Sequence, residues 1–291
     1  MKSFPKILFP VDYSDSSAKA VPYVRDMVRR NQAELTVFHS LPLMTLPVAT
    51  GDFLGAVPMA PATPEIRTGE QERLAFFTAK HFSDLKTRQV LADGEAAPAL
   101  EEEVAKSGID LVMMPTHGAG VFRRLLLGSV AAKILHDLSC AVWTFVPGHT
   151  KAFDETSSFR SIVCALTGRP EDDADIARKA AEISRDTQAR LTLVHVVEPP
   201  PVTWEFDFEP YRSKLMGDAE ARLLKLDAEL GLEAGVRVVC DMIPRGIHEV
   251  CAEEEASLLV VGRGHARDGL GRIWSQLYET IREAPCPVLS V

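Results

Sequence analysis

Residues 4–14, FPKILFPVDYS, return later in the chain as FRSIVCALTGR at residues 159–169. Each stretch runs from an aromatic residue through a short apolar segment into a polar turn. Three more pairs of similar segments follow in the same order: 33–43 with 189–199, 109–118 with 256–265, and 139–146 with 285–291. A repeat of this length indicates a duplicated domain rather than a solenoid unit.

The segment between the copies, PGHTKAFDETSS at 147–158, has the composition of a linker. We therefore predict two domains, at 1–147 and 158–291. A chain of 291 residues is long enough for two separate cores.

Short apolar runs alternate with helical patterns in the first copy. Strands are predicted at 6–11, 34–40, 87–92, 110–115 and 141–146, and helices at 17–31, 66–83, 97–107 and 129–138. Nearly continuous apolar strands are typical of a parallel sheet covered on both faces. The sequence therefore predicts an α/β fold with one doubly wound parallel sheet in each domain.

Composition narrows the classes of function. The net charge of −9 argues against a nucleic-acid partner. No apolar run reaches the roughly 20 residues of a membrane helix, so we expect no membrane span. The first residues lack the pattern of a signal peptide, and the five scattered cysteines form no C-x-x-C pair. Reduced thiols in the cytoplasm are the simplest interpretation.

The candidate site is MMPTHGAGVFRRLLLGSV at 113–130. Its glycines let backbone N–H groups approach phosphate oxygens, and the helix that opens after Gly128 adds its own N–H groups. Asp12, after the first strand, would lie at the same sheet edge and could bind a ribose or an adenine amine. Ordinary structural roles remain open: Asp12 as a helix cap, the glycines as a turn, and Ser129 as an N-cap.

At these residues the chain resembles the universal stress proteins, here in tandem. Nucleotide-binding members of that family carry G-x-x-G-x9-G-[S/T] after strand four and an aspartate after strand one. Asp12, Gly118, Gly128 and Ser129 match, whereas the first glycine is Pro115, which lacks an N–H. The resemblance also covers the strand-two histidines His39 and His195, for which a structural role is the more common alternative.

The resemblance implies five parallel strands per domain and an internal pseudo-dimer through strands 141–146 and 287–291, with a further homodimer left open. It also implies an ATP site in the first domain, with or without Mg²⁺. The implied nucleotide-binding residues are Val11, Asp12, Ser40, Met114, Thr116, His117, Gly118, Gly120, Arg123, Gly128, Ser129 and Val130.

The second copy departs from this pattern. Thr167 replaces the aspartate, His265 replaces the second glycine, and Ser275-Gln276 replaces Gly128-Ser129. We therefore expect a degenerate nucleotide site there. Arg263, Arg267 and other basic residues of that loop could hold another anion or be solvated.

Two functions remain open. The first is a stress-response signalling protein that binds ATP in its first domain and acts through an unidentified protein partner. The second is a chaperone-like or scaffold protein without nucleotide, which would use the long apolar loop at 41–65. No catalytic constellation is evident, so we expect at most slow ATP hydrolysis.

Overall fold

The computed structural model describes residues 3–50, 53–60, 62–117, 127–146, 159–199, 209–263 and 271–291. The chain divides into two compact units, and most of the second runs from Trp143 to Val291. Each repeat forms an α/β domain, as the sequence predicts. None of the described helices combines the length and the apolar character that crossing a membrane requires.

The first repeat contains seven strands and four helices in the part that is described. They are β1 Lys6–Pro10, α1 Asp15–Asn31, β2 Glu34–Leu41, β3 Met44–Thr50, β4 Phe53–Ala60, α2 Pro64–Phe82, β5 Thr87–Asp93, α3 Ala96–Ser107, β6 Leu111–Pro115, α4 Ser129–Asp137 and β7 Ala141–Phe145.

Five of these strands lie in the order β7-β6-β1-β2-β5. The pairs β1–β2, β1–β6 and β2–β5 are parallel. The chain leaves β1 towards β2 on one side and later returns to β6 on the other. The strand order therefore reverses at β1 and β6, the place where ligands of open α/β sheets bind.

The second repeat has the same plan. Its elements are β8 Ser161–Leu166, α5 Pro170–Thr187, β9 Arg190–Val197, α6 Glu209–Leu230, β10 Gly235–Cys240, α7 Ile243–Glu253, β11 Leu258–Val261, α8 Gly271–Glu283 and β12 Val288–Ser290. The sheet order is β12-β11-β8-β9-β10, with parallel pairing at β8–β9, β8–β11, β9–β10 and β11–β12.

Apolar strands and helix stripes explain this arrangement. β6 and β11 are buried along their whole length, which requires helices on both faces of each sheet. In α1, Ala20, Val24 and Val28 recur every fourth residue and are buried on one face. α1 begins at Asp15 and contains Pro22 in its interior.

The segment 41–65, which we expected to be a long loop, contains two strands. β3 and β4 form an antiparallel ribbon in which Pro47 pairs with Ala56 and Thr45 with Pro58. Proline is tolerated there because each strand of a two-stranded ribbon has an edge without a partner.

Candidate functional site

Several of the predicted site residues lie at the carboxyl ends of three neighbouring strands. Asp12 follows β1, Ser40 is near the end of β2, and Thr116 and His117 follow β6. The order β6-β1-β2 brings these strand ends to one edge of the sheet. Gly118, Gly120 and Arg123 lie outside the described residues.

Asp12 organises the loop that follows β1. Its Oδ1 accepts hydrogen bonds from the Ser14 N–H at 3.0 Å, the Ser14 hydroxyl at 2.6 Å and the Ser17 hydroxyl at 2.6 Å. The N-cap of α1 is Ser14, which accepts from the Ser17 N–H. Asp12 is therefore not the cap. It is an exposed carboxylate held in place by two serines.

A backbone hydrogen bond connects the residue after β6 with the start of α4. The N–H of Gly128 donates to the carbonyl oxygen of Thr116 at 2.9 Å. A β-carbon at Gly128 would lie 3.0 Å from the same oxygen, so this close approach favours glycine. Thr116 is fully buried, and its hydroxyl is 2.8 Å from Nδ1 of His117.

α4 presents its first N–H groups at this edge. The helix begins at Ser129, with Gly128 as its N-cap, so Ser129 is not the cap. The first carbonyl to receive an intrahelical bond is that of Gly128, from the Ala132 N–H. The N–H groups of Ser129, Val130 and Ala131 therefore have no intrahelical acceptor, which is the usual basis of anion binding at a helix start.

Three predicted contact residues differ in how far they are accessible. Val11 and Met114 are buried in the core, so a ligand could reach only their backbones. Pro115, which replaces the first motif glycine, ends β6 and is buried as well. Val130 is half-buried beside the exposed Ser129.

In the second domain the carboxylate that bonds to the first loop comes from α5 instead of from the loop. Asp173, in the first turn of α5, is buried and accepts from the N–H groups of Thr167 and Gly168 and from the Thr167 hydroxyl, at 2.7, 2.8 and 3.0 Å. Burial raises the pKa of Asp173 in spite of these bonds. The Asp173 carboxylate thus stabilises the loop that follows β8.

The helix of the second domain that corresponds to α4 also begins at a different position relative to the motif. α8 begins at Gly271, so Ser275 and Gln276 lie inside the helix rather than at its N-terminus. The Gln276 amide donates to Oε1 of Glu198, just after β9, at 3.1 Å. Glu198 thus adds negative charge to this edge of the second sheet, and the degeneracy of this site stays a prediction. His265 and Arg267 lie outside the described residues.

Sequence reasoning missed a polar cluster next to Asp12. Tyr13 adopts a left-handed backbone with φ 59° and packs against His39, whose ring centroid lies 4.7 Å away. The guanidinium of Arg73, on α2, lies 4.2 Å from the centre of the Tyr13 ring. Glu70, one turn earlier, approaches His39. Of these residues, the sequence analysis identified only His39 as a candidate.

His39 and His195 each make a backbone contact of the kind expected for a histidine with a structural role. Nδ1 of His39 lies 2.7 Å from the carbonyl oxygen of Val11, and Nδ1 of His195 lies 3.0 Å from that of Leu166. Among the described residues, no group of three or more His, Cys, Asp and Glu side chains could hold a metal ion.

The comparisons with known proteins agree with the repeat. The family model described as the universal stress protein family matches residues 3–145 and 158–291. A universal stress protein of Thermus aquaticus is 32% identical over 143 residues, which is 46% of this chain and 98% of that protein. A universal stress protein from Archaeoglobus fulgidus matches 99% of this chain and 96% of its own, with a TM-score of 0.67 and 18% identity.

A shorter structure from Archaeoglobus fulgidus, a universal stress protein in complex with dAMP, matches 46% of this chain and 98% of its own length. Its TM-score is 0.32 and its sequence identity is 20%.

Proposed function

Since the chain belongs to the universal stress protein family, we propose that its first domain binds ATP at the crevice between β1 and β6 and that occupancy alters association with a protein partner. The observation that carries this proposal is the junction of Gly128 with Thr116. It holds the start of α4 at the same sheet edge as Asp12.

The residues there suit the chemistry of a nucleotide. The N–H groups of Ser129 to Ala131 are donors for phosphate oxygens, and Asp12 is an acceptor for a ribose hydroxyl or an amine. Mg²⁺ would bind mainly through the phosphates. In the second domain, Glu198 lies at the corresponding edge of its own sheet, and this domain serves as a structural or regulatory partner.

Equilibrium dialysis with labelled ATP tests the proposal. We expect saturable binding by the wild type and loss of binding in Gly128→Val, with Gly69→Ala as control because a β-carbon at Gly69 meets nothing within 4 Å. No binding at millimolar ATP, or equal binding by Gly128→Val, would reject the proposal.

Exposed apolar side chains favour the second candidate, a nucleotide-independent scaffold. Leu43, just before the β3–β4 ribbon, is 41% exposed, and Phe76 on α2 is 71% exposed. Deletion of 44–62 would then abolish partner capture and leave the helical circular dichroism signal of the domains intact. A deletion variant that captures partners normally would exclude this function.

A further inference from the structure

The bond between His39 and Val11 fixes where the imidazole carries its proton. A carbonyl oxygen can only accept a hydrogen bond, and the Val11 oxygen is 2.7 Å from Nδ1. Nδ1 must therefore be the protonated nitrogen when the ring is neutral, and Nε2 then presents a lone pair.

That lone pair faces a carboxylate. Oε2 of Glu70 lies 3.7 Å from Nε2 of His39. It is buried and has no hydrogen-bond partner among the residues that the structure describes. In the neutral state two acceptors thus face each other, and no hydrogen bond can form. A proton on Nε2 would turn it into a donor and give Oε2 of Glu70 a charged partner.

The other polar groups near His39 are Arg73, Tyr13 and the pair Arg88 and Glu103. Arg73 opposes a second positive charge, but it is itself engaged by Oε1 of Glu70 at 3.5 Å. Burial, followed by the charge of Glu70, raises the pKa of Tyr13 to about 12, so the phenol keeps its proton at neutral pH. Arg88 donates to the Thr36 hydroxyl and to Glu103, and Thr36 lies on the opposite face of β2 from His39 because side chains alternate along a strand.

These contacts connect two parts of the first domain. His39 holds the carbonyl of Val11, immediately before Asp12, and its ring packs on Tyr13, immediately after it. Its other nitrogen faces Glu70 on α2, the helix that follows the β3–β4 ribbon. We propose that His39 is a proton-operated positioning residue that ties the Asp12 loop to α2 when Nε2 gains a proton.

The second domain has the same carbonyl bond without this connection. His195 binds the carbonyl of Leu166, but Gly168 stands where the first domain has Tyr13. A β-carbon at Gly168 would lie 2.8 Å from Cε1 of His195, so the ring lies directly against the loop backbone. The nearby carboxylate, Asp173, is already bonded to that loop.

Two measurements on the full chain test the proposal without requiring nucleotide. The first is long-range ¹⁵N–¹H NMR of the histidine rings. We expect His39 to be the Nδ1–H tautomer at neutral pH. The second compares the melting temperatures of the wild type and Glu70→Gln between about pH 8 and 5. A glutamine can donate to the neutral imidazole, whereas only glutamate forms an ion pair with the protonated one.

We expect the wild type to gain roughly 1–3 °C relative to Glu70→Gln as the pH falls, the size of a partly exposed ion pair. The variant His39→Asn can still donate to Val11 but cannot take up a proton. On a His39→Asn background, Glu70→Gln should therefore cause the same change at every pH. A wild-type difference that does not vary with pH, or an Nε2–H tautomer, would overturn the proposal.

A third measurement relates the switch to the proposed ATP site. ATP affinity should vary with pH in the wild type more than in His39→Asn. If no ATP binds at all, the proposed function fails, while the NMR and melting experiments still decide the role of His39.

Discussion

The hydroxyl of Ser17 lies 2.6 Å from Oδ1 of Asp12, and the two corresponding positions of the second domain carry a hydroxyl and a carboxylate in exchanged order. There, the hydroxyl of Thr167 donates to Asp173 at 3.0 Å. Each domain thus keeps one carboxylate–hydroxyl bond between its first loop and its first helix. Only the first domain leaves the carboxylate exposed.

Replacing Ser17 with alanine should weaken the first domain and its proposed site together. Asp12 would lose one of the hydroxyls that hold it, at a cost of about 1 kcal/mol in unfolding free energy. We expect roughly tenfold weaker ATP binding, measured by dialysis, because the carboxylate is no longer fixed. Ser16→Ala is the matched control, and equal losses in both variants would contradict a specific role for Ser17.

Asp173→Asn should destabilise the second domain by about 1–3 kcal/mol. The amide has one acceptor oxygen, whereas both carboxylate oxygens of Asp173 accept bonds from the loop, so one buried donor would face an NH₂ group. Urea denaturation measures the loss. Asp175→Asn, at an exposed pair on the same helix, should change stability by less than about 0.5 kcal/mol. A similar small effect at Asp173 would show that the carboxylate bonds contribute little.

The two glycine substitutions should have opposite signs. Gly128→Ala crowds the Thr116 oxygen and replaces a favourable N-cap residue, so we expect a loss of about 1–2 kcal/mol. Gly69→Ala lies in the exposed interior of α2 and should gain roughly 0.5–1 kcal/mol. Thermal unfolding distinguishes them, and a neutral Gly128→Ala would mean that the Thr116 junction relaxes freely.

Glu103→Gln should lower stability at neutral pH but not in acid. Burial alone would raise the pKa of Glu103, yet hydrogen bonds from Ser107 and Arg88 hold it below its ordinary value. The depressed pKa means that this stabilisation is fully present above the ordinary glutamate pKa of about 4.3 and is lost as the pH falls through the lower pKa of the folded protein. We expect a difference of about 1 kcal/mol at pH 7, since Arg88 is partly exposed. A difference that does not shrink as the pH falls below the glutamate range would contradict the ion pair as its cause.

The sequence predicted the repeat, the alternation of strands and helices and the position of Asp12 after the first strand, because apolar periodicity reports directly on burial. It did not predict the roles of individual polar side chains. The run Glu101–Glu103 suggests a solvated helix face, and Glu101 and Glu102 are indeed exposed, but Glu103 is buried against Arg88 on another element. Likewise, Ser14 rather than Asp12 caps α1, since both residue types are good caps and only the backbone geometry separates them.

Nucleotide stoichiometry tests the central claim most directly. Isothermal titration of the full chain with ATP should give one site per chain, abolished by Asp12→Ala or Gly128→Val and unchanged by Glu198→Gln. Two sites per chain, or one site that survives both first-domain substitutions, would contradict it.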